Sequence, residues 1–253
     1  MVSNKLNDIH GFVLREFPYR ESSKIIEIFT KDLGRISIYA KGVLRKNNRN
    51  LSTSLRFTKA SYNLYKGKND FYGIKESILL NSYSKSRKNF DIIIYKSAIC
   101  DLLLRTIDTM QKEIVYRLID SCFVAFESAS DNYLNIFLGF LIKYLSFSGF
   151  KPNLINCSEC GIRIKSEPLY FSIKEGGLIC NACKSLVRDR LYLSKEEYLY
   201  IVKLLYTDSG DLEKLTYKID KEKITKLIID YTLDKLEINK FNSIDWVLDL
   251  VEK

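Results

Sequence analysis

Two cysteine pairs carry the sharpest chemistry in the chain. Cys157 and Cys160 form one C-x-x-C turn and Cys180 and Cys183 another, with residues 161–179 between them. Each turn can aim two thiolates at one point, and two such knuckles close a tetrahedral four-sulfur site. Gly161 follows the first pair and Gly176 and Gly177 precede the second, where tight turns need permissive backbone. Four thiolates leave no position open for water or substrate. The expected role is therefore structural, with one Zn2+ ion stapling a segment, 154–185, that is too small to have its own core. An iron–sulfur cluster also uses four cysteines, and a C-x-x-C pair can do redox exchange; two matched knuckles favour zinc over both. Cys100 and Cys122 stand singly in apolar helical patterns and read as packing residues.

The second feature is charge. The net charge is +9, and residues 1–85 hold 16 Lys or Arg against 7 Asp or Glu, so all the excess lies in the first third. Such asymmetry points to an N-terminal polyanion-binding module. Between Asp32 and Asp70 lie Arg35, Lys41, Arg45, Lys46, Arg49, Arg56, Lys59, Lys66 and Lys68 with no acidic residue among them. Assembling these cations is costly unless an anion is near, and a phosphate backbone is the obvious one. Tyr39, Phe57, Tyr62 and Tyr65 interleave with them. A positive track with aromatic rings under the bases is how small barrels hold single strands, although strand alternation sends some of these rings into the core.

Catalytic chemistry has little to build on. His10 is the single histidine, no G-x-S-x-G, H-E-x-x-H or P-loop pattern occurs, and the carboxylates are scattered along helical faces. The expectation is a binding protein and not an enzyme. A nuclease-like alternative would need clustered carboxylates. A zinc-ribbon interaction module is the other alternative, but residues 154–185 carry Arg163, Lys165, Lys174 and Lys184 against Glu159, Glu167 and Glu175, too even a balance for a nucleic-acid surface.

The elements that must position these groups follow from periodicity. Residues 9–14, 24–30, 35–40, 60–66 and 71–78 read as five strands, with Pro18 breaking the first and turns at 31–34 and 67–70. Five short strands in so few residues suit a small Greek-key barrel. Lys41 to Ser54 reads as a polar loop. From residue 86 the apolar spacing becomes helical through 92–107, 114–126 and 133–149. Ser194 opens a capped helix over 194–206, and 220–237 reads as the final helix. The fold class expected is α+β: a five-stranded OB-fold barrel over 1–82, then a mainly helical domain over 83–253 with the cysteine segment inserted. Ile136 to Phe150 is the most apolar stretch, but it is short and holds Lys143, so it reads as a buried helix. The start lacks an apolar leader, and the expected location is the cytoplasm, where the six cysteines do not imply disulfides.

Two series of residues resemble a known family. Gly11-Phe12-Val13-Leu14, Tyr19-Arg20-Glu21-Ser22-Ser23, Glu27-Ile28-Phe29-Thr30, Gly34-Arg35 and Ala40-Lys41-Gly42-Val43 form the first. The second runs from Phe150-Lys151-Pro152-Asn153-Leu154 through Cys157, Cys160 and Gly161 to Phe171-Ser172, Gly176-Gly177, Cys180 and Cys183. Both are similar to the RecO family of bacterial DNA repair proteins. The resemblance covers about 9–80 and 146–185. It implies an OB-fold, a zinc-bearing helical domain and a nucleoid-associated role as recombination mediator. It further implies binding of single- and double-stranded DNA, strand annealing, and loading of the RecA recombinase with the partner RecR. Docking of the C-terminal tail of single-strand-binding protein is implied too. The DNA-binding candidates carried over are Arg35, Lys41, Arg45, Lys46 and Arg49, with Arg15, Arg20 and Lys24 near the same face.

Overall fold

Ile36 and Ile38 alternate with Arg35, Ser37 and Tyr39, and this period of two does make a strand. The computed structural model describes residues 6–67, 70–106, 112–165 and 167–252. Contacts divide the chain into two compact units, residues up to 90 with 99–120, and residues 91–98 with 121–253.

The first unit holds strands β1 (Ile9–Tyr19), β2 (Ser23–Thr30), β3 (Gly34–Ala40), β4 (Lys59–Lys66) and β5 (Tyr72–Asn81). They close into a barrel in the order β1-β2-β3-β5-β4. All pairs are antiparallel except β3 with β5, a short parallel closure of Ile38 on Tyr72 and Tyr39 on Gly73. The core is built from the inward residues of every strand, among them Ile9, Val13, Ile26, Ile28, Ile38, Tyr62 and Leu64. Pro18 does not break β1, contrary to the sequence expectation. Only Ile9–Phe12 pair with β4 and Val13 with the segment at Phe57 and Thr58, so β2 is the one strand paired with the end of β1 among the described residues, and Pro18 sits opposite Lys24 there with no second ladder asking for its N–H. The turn at 67–70 is only partly described, because Lys68 and Asn69 lie outside the described residues.

Helix α1 (Phe90–Thr106) and helix α2 (Lys112–Ser128) each contribute to both units. Within the first unit, Phe12 packs against Tyr116 with ring centroids 5.0 Å apart. The second unit is built round α3 (Tyr133–Phe147), whose Ile136 to Ile142 are all buried. Asn135 is buried beside them and satisfied: its amide donates to the Leu212 and Leu215 carbonyls at 3.1 and 2.9 Å, and its oxygen accepts the Tyr200 hydroxyl at 2.6 Å. Ser194 caps α4 (Lys195–Tyr206) through the expected capping box with Glu197. Helix α5 (Lys221–Lys235) is not the last, because α6 (Asn242–Val251) follows. The cysteine region also contains a small sheet of β6 (Leu169–Ser172), β7 (Gly177–Ile179) and β8 (Arg190–Leu193), in the order β7-β6-β8. Among the described residues, no helix is long and apolar enough to cross a membrane.

Candidate nucleic-acid groove and metal centre

The four cysteines converge. One ligand atom from each of Cys157, Cys160, Cys180 and Cys183 lies within 4.8 Å of the others. Asn153 starts the first knuckle by accepting the Asn156 N–H at 3.0 Å on its side chain, and the Gly161 N–H closes it on the Cys157 carbonyl at 2.8 Å. The Cys183 N–H closes the second on the Cys180 carbonyl at 3.1 Å, while the Cys180 N–H points at the Cys157 sulfur at 3.3 Å. Gly161 and Gly176 both take φ of 74°, the left-handed conformation the turns require. Ile179 and Val187 pack beneath as a small apolar floor with Cys157 and Cys183.

The donor set fits a metal. Cys160 and Cys180 sulfurs are 3.8 Å apart, too far for a disulfide. A metal–sulfur bond of about 2.3 Å puts tetrahedral sulfurs about 3.8 Å apart. Burial raises the Cys157 thiol pKa, but the backbone N–H groups of Cys180, Cys160 and Glu159 outweigh it and bring the thiol down to about 7. Cys183 is pushed up to about 12 by hydrogen bonds to the Cys180 and Cys160 thiols. A bound cation would draw the remaining protons off such a crowded set, because the thiolate is the metal-binding form. Cys100 and Cys122 are buried elsewhere, as expected of packing residues.

The basic window divides in two. Arg56 pairs with Asp101 at 2.9 Å, and Lys59 with Asp120 at 2.7 Å. Arg35 donates to the Leu104 carbonyl at 2.6 Å. Of the candidates placed near the same face, Arg15 meets Glu27 at 3.1 Å, and Lys24 is buried against Glu16. The remaining candidates, Arg20, Lys41, Arg45, Lys46 and Arg49, are exposed, and none has an ion-pair partner among the described residues.

The loop that carries most of them is pinned. The Leu44 N–H donates to the Ser22 carbonyl at 2.9 Å, and the Asn48 amide donates to the Gly42 carbonyl at 3.0 Å. Asn50 accepts the Ser77 hydroxyl at 2.8 Å, and the buried Tyr62 hydroxyl donates to Thr53 at 2.6 Å.

The interleaved aromatics also divide. Tyr62 and Phe57 are buried, whereas Tyr39 and Tyr65 line a groove of about 640 Å3 at the end of the barrel. Tyr19 at the end of β1, Arg20 of the β1–β2 turn, Phe71, Tyr72 and Gly73 of β5 and its approach, and Lys41 line it too, with Ile25 and Gly67. Tyr19 meets Tyr39 edge-on at 5.7 Å. The Tyr39 hydroxyl lies 3.2 Å from Ser23 Oγ, which accepts the Gly42 N–H at 3.0 Å. Neither Tyr19 nor Tyr72 stands out in the sequence as a groove residue, because barrel closure and not local spacing brings them together.

Family models match most of the chain: Recombination protein O N terminal over residues 6–83, and Recombination protein O C terminal over 87–243. Similar relatives each bear the name DNA repair protein RecO. That of Caldanaerobacter subterraneus subsp. tengcongensis is 28% identical over 95% of this chain and 96% of its own length. The Thermoanaerobacter sp. protein is 29% identical over 97% and 98%. That of Caldicellulosiruptor saccharolyticus is 28% identical over 91% and 92%.

Proposed function

We propose, because the chain belongs to the recombination protein O family, that it acts in DNA repair as a recombination mediator without catalysing a covalent step. Residues 1–82 are the DNA-binding module. The groove takes single strands, and its basic rim holds the phosphates of a second strand or of duplex DNA. With two backbones neutralised, complementary strands meet without their mutual repulsion and base pairing supplies the specificity. The partners on this reading are RecR, the C-terminal tail of single-strand-binding protein and, indirectly, the RecA recombinase, in the cytoplasm at the nucleoid. One zinc ion on Cys157, Cys160, Cys180 and Cys183 staples the helical part and supplies no reaction chemistry.

The observation that carries this reading is a set of exposed cations without carboxylate partners among the described residues, Arg20, Lys41, Arg45, Lys46 and Arg49, of which Arg20 and Lys41 line an aromatic groove and Arg45 the cavity beside it. Arg15, Lys24 and Arg35 already hold protein groups. The test is the annealing rate of two complementary labelled oligonucleotides. The wild-type chain accelerates annealing, and a variant with Arg20→Ala and Lys41→Ala loses most of that acceleration. An unchanged rate in the variant contradicts the reading.

A further inference from the structure

The groove adjoins a second cavity of about 390 Å3 whose charged lining is Arg20, Lys41 and Arg45 with one carboxylate, Glu21, beside the small Ser22, Ser23 and Gly42. Arg20, Tyr39 and Lys41 line both. One compartment is thus mainly aromatic and the other polar with three cations against one carboxylate, with shared residues at the junction. A nucleotide has the same division, a flat apolar base joined to an anionic phosphate.

The floor of the aromatic compartment is specific. Tyr39, Gly73 and Tyr65 occupy one row across β3, β5 and β4. Gly73 has no side chain, and the Tyr65 ring lies over it: a Cβ at Gly73 would meet Tyr65 Cζ at 2.1 Å. The ring is therefore held against the sheet, yet Tyr65 remains 41% exposed. An aromatic ring held against the sheet at its hydroxyl end and still open to solvent can serve as a stacking platform.

The geometry points to a site for one unstacked nucleotide of a single strand, its base on the Tyr65 ring and its phosphate among Arg20, Lys41 and Arg45. This rests on the polyanion-binding reading above and goes further, because it makes the groove sense whether bases are paired. In a duplex both faces of each base are covered, and exposing one is costly. Annealing therefore removes the stacking contact while leaving phosphate contacts intact, which favours release of the duplex product over the single-stranded substrate.

The test compares wild type with Tyr65→Leu and Tyr65→Phe for binding of an unstructured oligonucleotide and of a duplex of equal length. Losing one base–aromatic stack is expected to weaken single-strand binding about tenfold. In Tyr65→Leu the duplex affinity and salt slope stay at wild-type values, and Tyr65→Phe binds as wild type. A wild-type measurement covers the case of a poorly folded variant: irradiating an iodouracil-substituted single strand on the protein should cross-link it to Tyr65 or its groove neighbours. Cross-links confined to other surfaces overturn the site. Unchanged single-strand affinity in Tyr65→Leu, with a steep salt slope retained, overturns the stacking site and leaves the polyanion reading standing. Wild type that binds neither form overturns both. A free nucleoside monophosphate at concentrations comparable to the strand should not displace it; displacement would assign the site to a small ligand instead.

Discussion

The Tyr65 ring lies across Gly73, its Cζ, Oη and Cε1 atoms 2.1, 2.4 and 2.5 Å from where a Cβ on Gly73 would stand. A methyl group there cannot coexist with the ring, but the ring is the far end of a flexible, half-exposed side chain and can swing away. Gly73→Ala is therefore expected to change folding stability by no more than about 1 kcal/mol. It should lower single-strand affinity as far as Tyr65→Leu does. Denaturant unfolding and strand binding on the same preparation check this. A variant with the ring displaced and wild-type affinity would contradict the platform.

The four-cysteine centre predicts one zinc ion per chain by elemental analysis. Cys157→Ser should abolish the metal and lower the melting temperature, whereas Cys100→Ser should keep full stoichiometry. Thiolates bind metal only when deprotonated, so protons compete and the ion is released as pH falls. Iron content with visible absorbance would replace zinc by a cluster.

Asp189 ties the start of the β6–β7 hairpin together. It accepts the Ser172 hydroxyl at 2.8 Å and the Lys174 N–H at 2.9 Å. Burial opposes its ionisation, but the Lys174 N–H and the Ser172 hydroxyl outweigh burial and hold its carboxyl below the ordinary value. A pKa lowered by folding adds stability above the unfolded value, and that stability is lost as pH falls through the folded one. Asp189→Asn should therefore cost about 1 kcal/mol at neutral pH, the group being partly solvated. The difference from wild type should vanish in acid. A pH-independent difference would assign the cost to packing.

Asn135 serves three partners inside the second unit: the Leu212 and Leu215 carbonyls and the Tyr200 hydroxyl. Asn135→Leu keeps the branched shape and strands all three, which should cost about 3 kcal/mol. Thermal unfolding measures it. Single-strand affinity of the folded variant should stay unchanged.

What the sequence disclosed depended on local signals. The alternation of β3, the capping box of Ser194 and the C-x-x-C spacing are each written within a few residues, and each was legible. Strands β6 to β8 run for four, three and four residues, too short for a period to register. Helix α6 is short and starts at Phe241 without a side-chain cap. Pro18 misled because the edge position that tolerates it is a property of the closed barrel. The acid-free basic window misled in part, since Arg56 and Lys59 find Asp101 and Asp120, which lie far along the chain. Tyr19 and Tyr72 join the groove only through the two-residue closure of β3 on β5.

The central claim is that the pinned basic loop and groove are the strand-binding surface. Fluorescence anisotropy of a labelled single strand across a salt series tests it, comparing wild type with a variant carrying Lys41→Ala, Arg45→Ala, Lys46→Ala and Arg49→Ala. Counterion release predicts that wild-type affinity falls steeply with salt, and that the variant binds more weakly with a log–log slope shallower by up to about 3. A wild-type affinity indifferent to salt, or a variant with the wild-type slope, would contradict it.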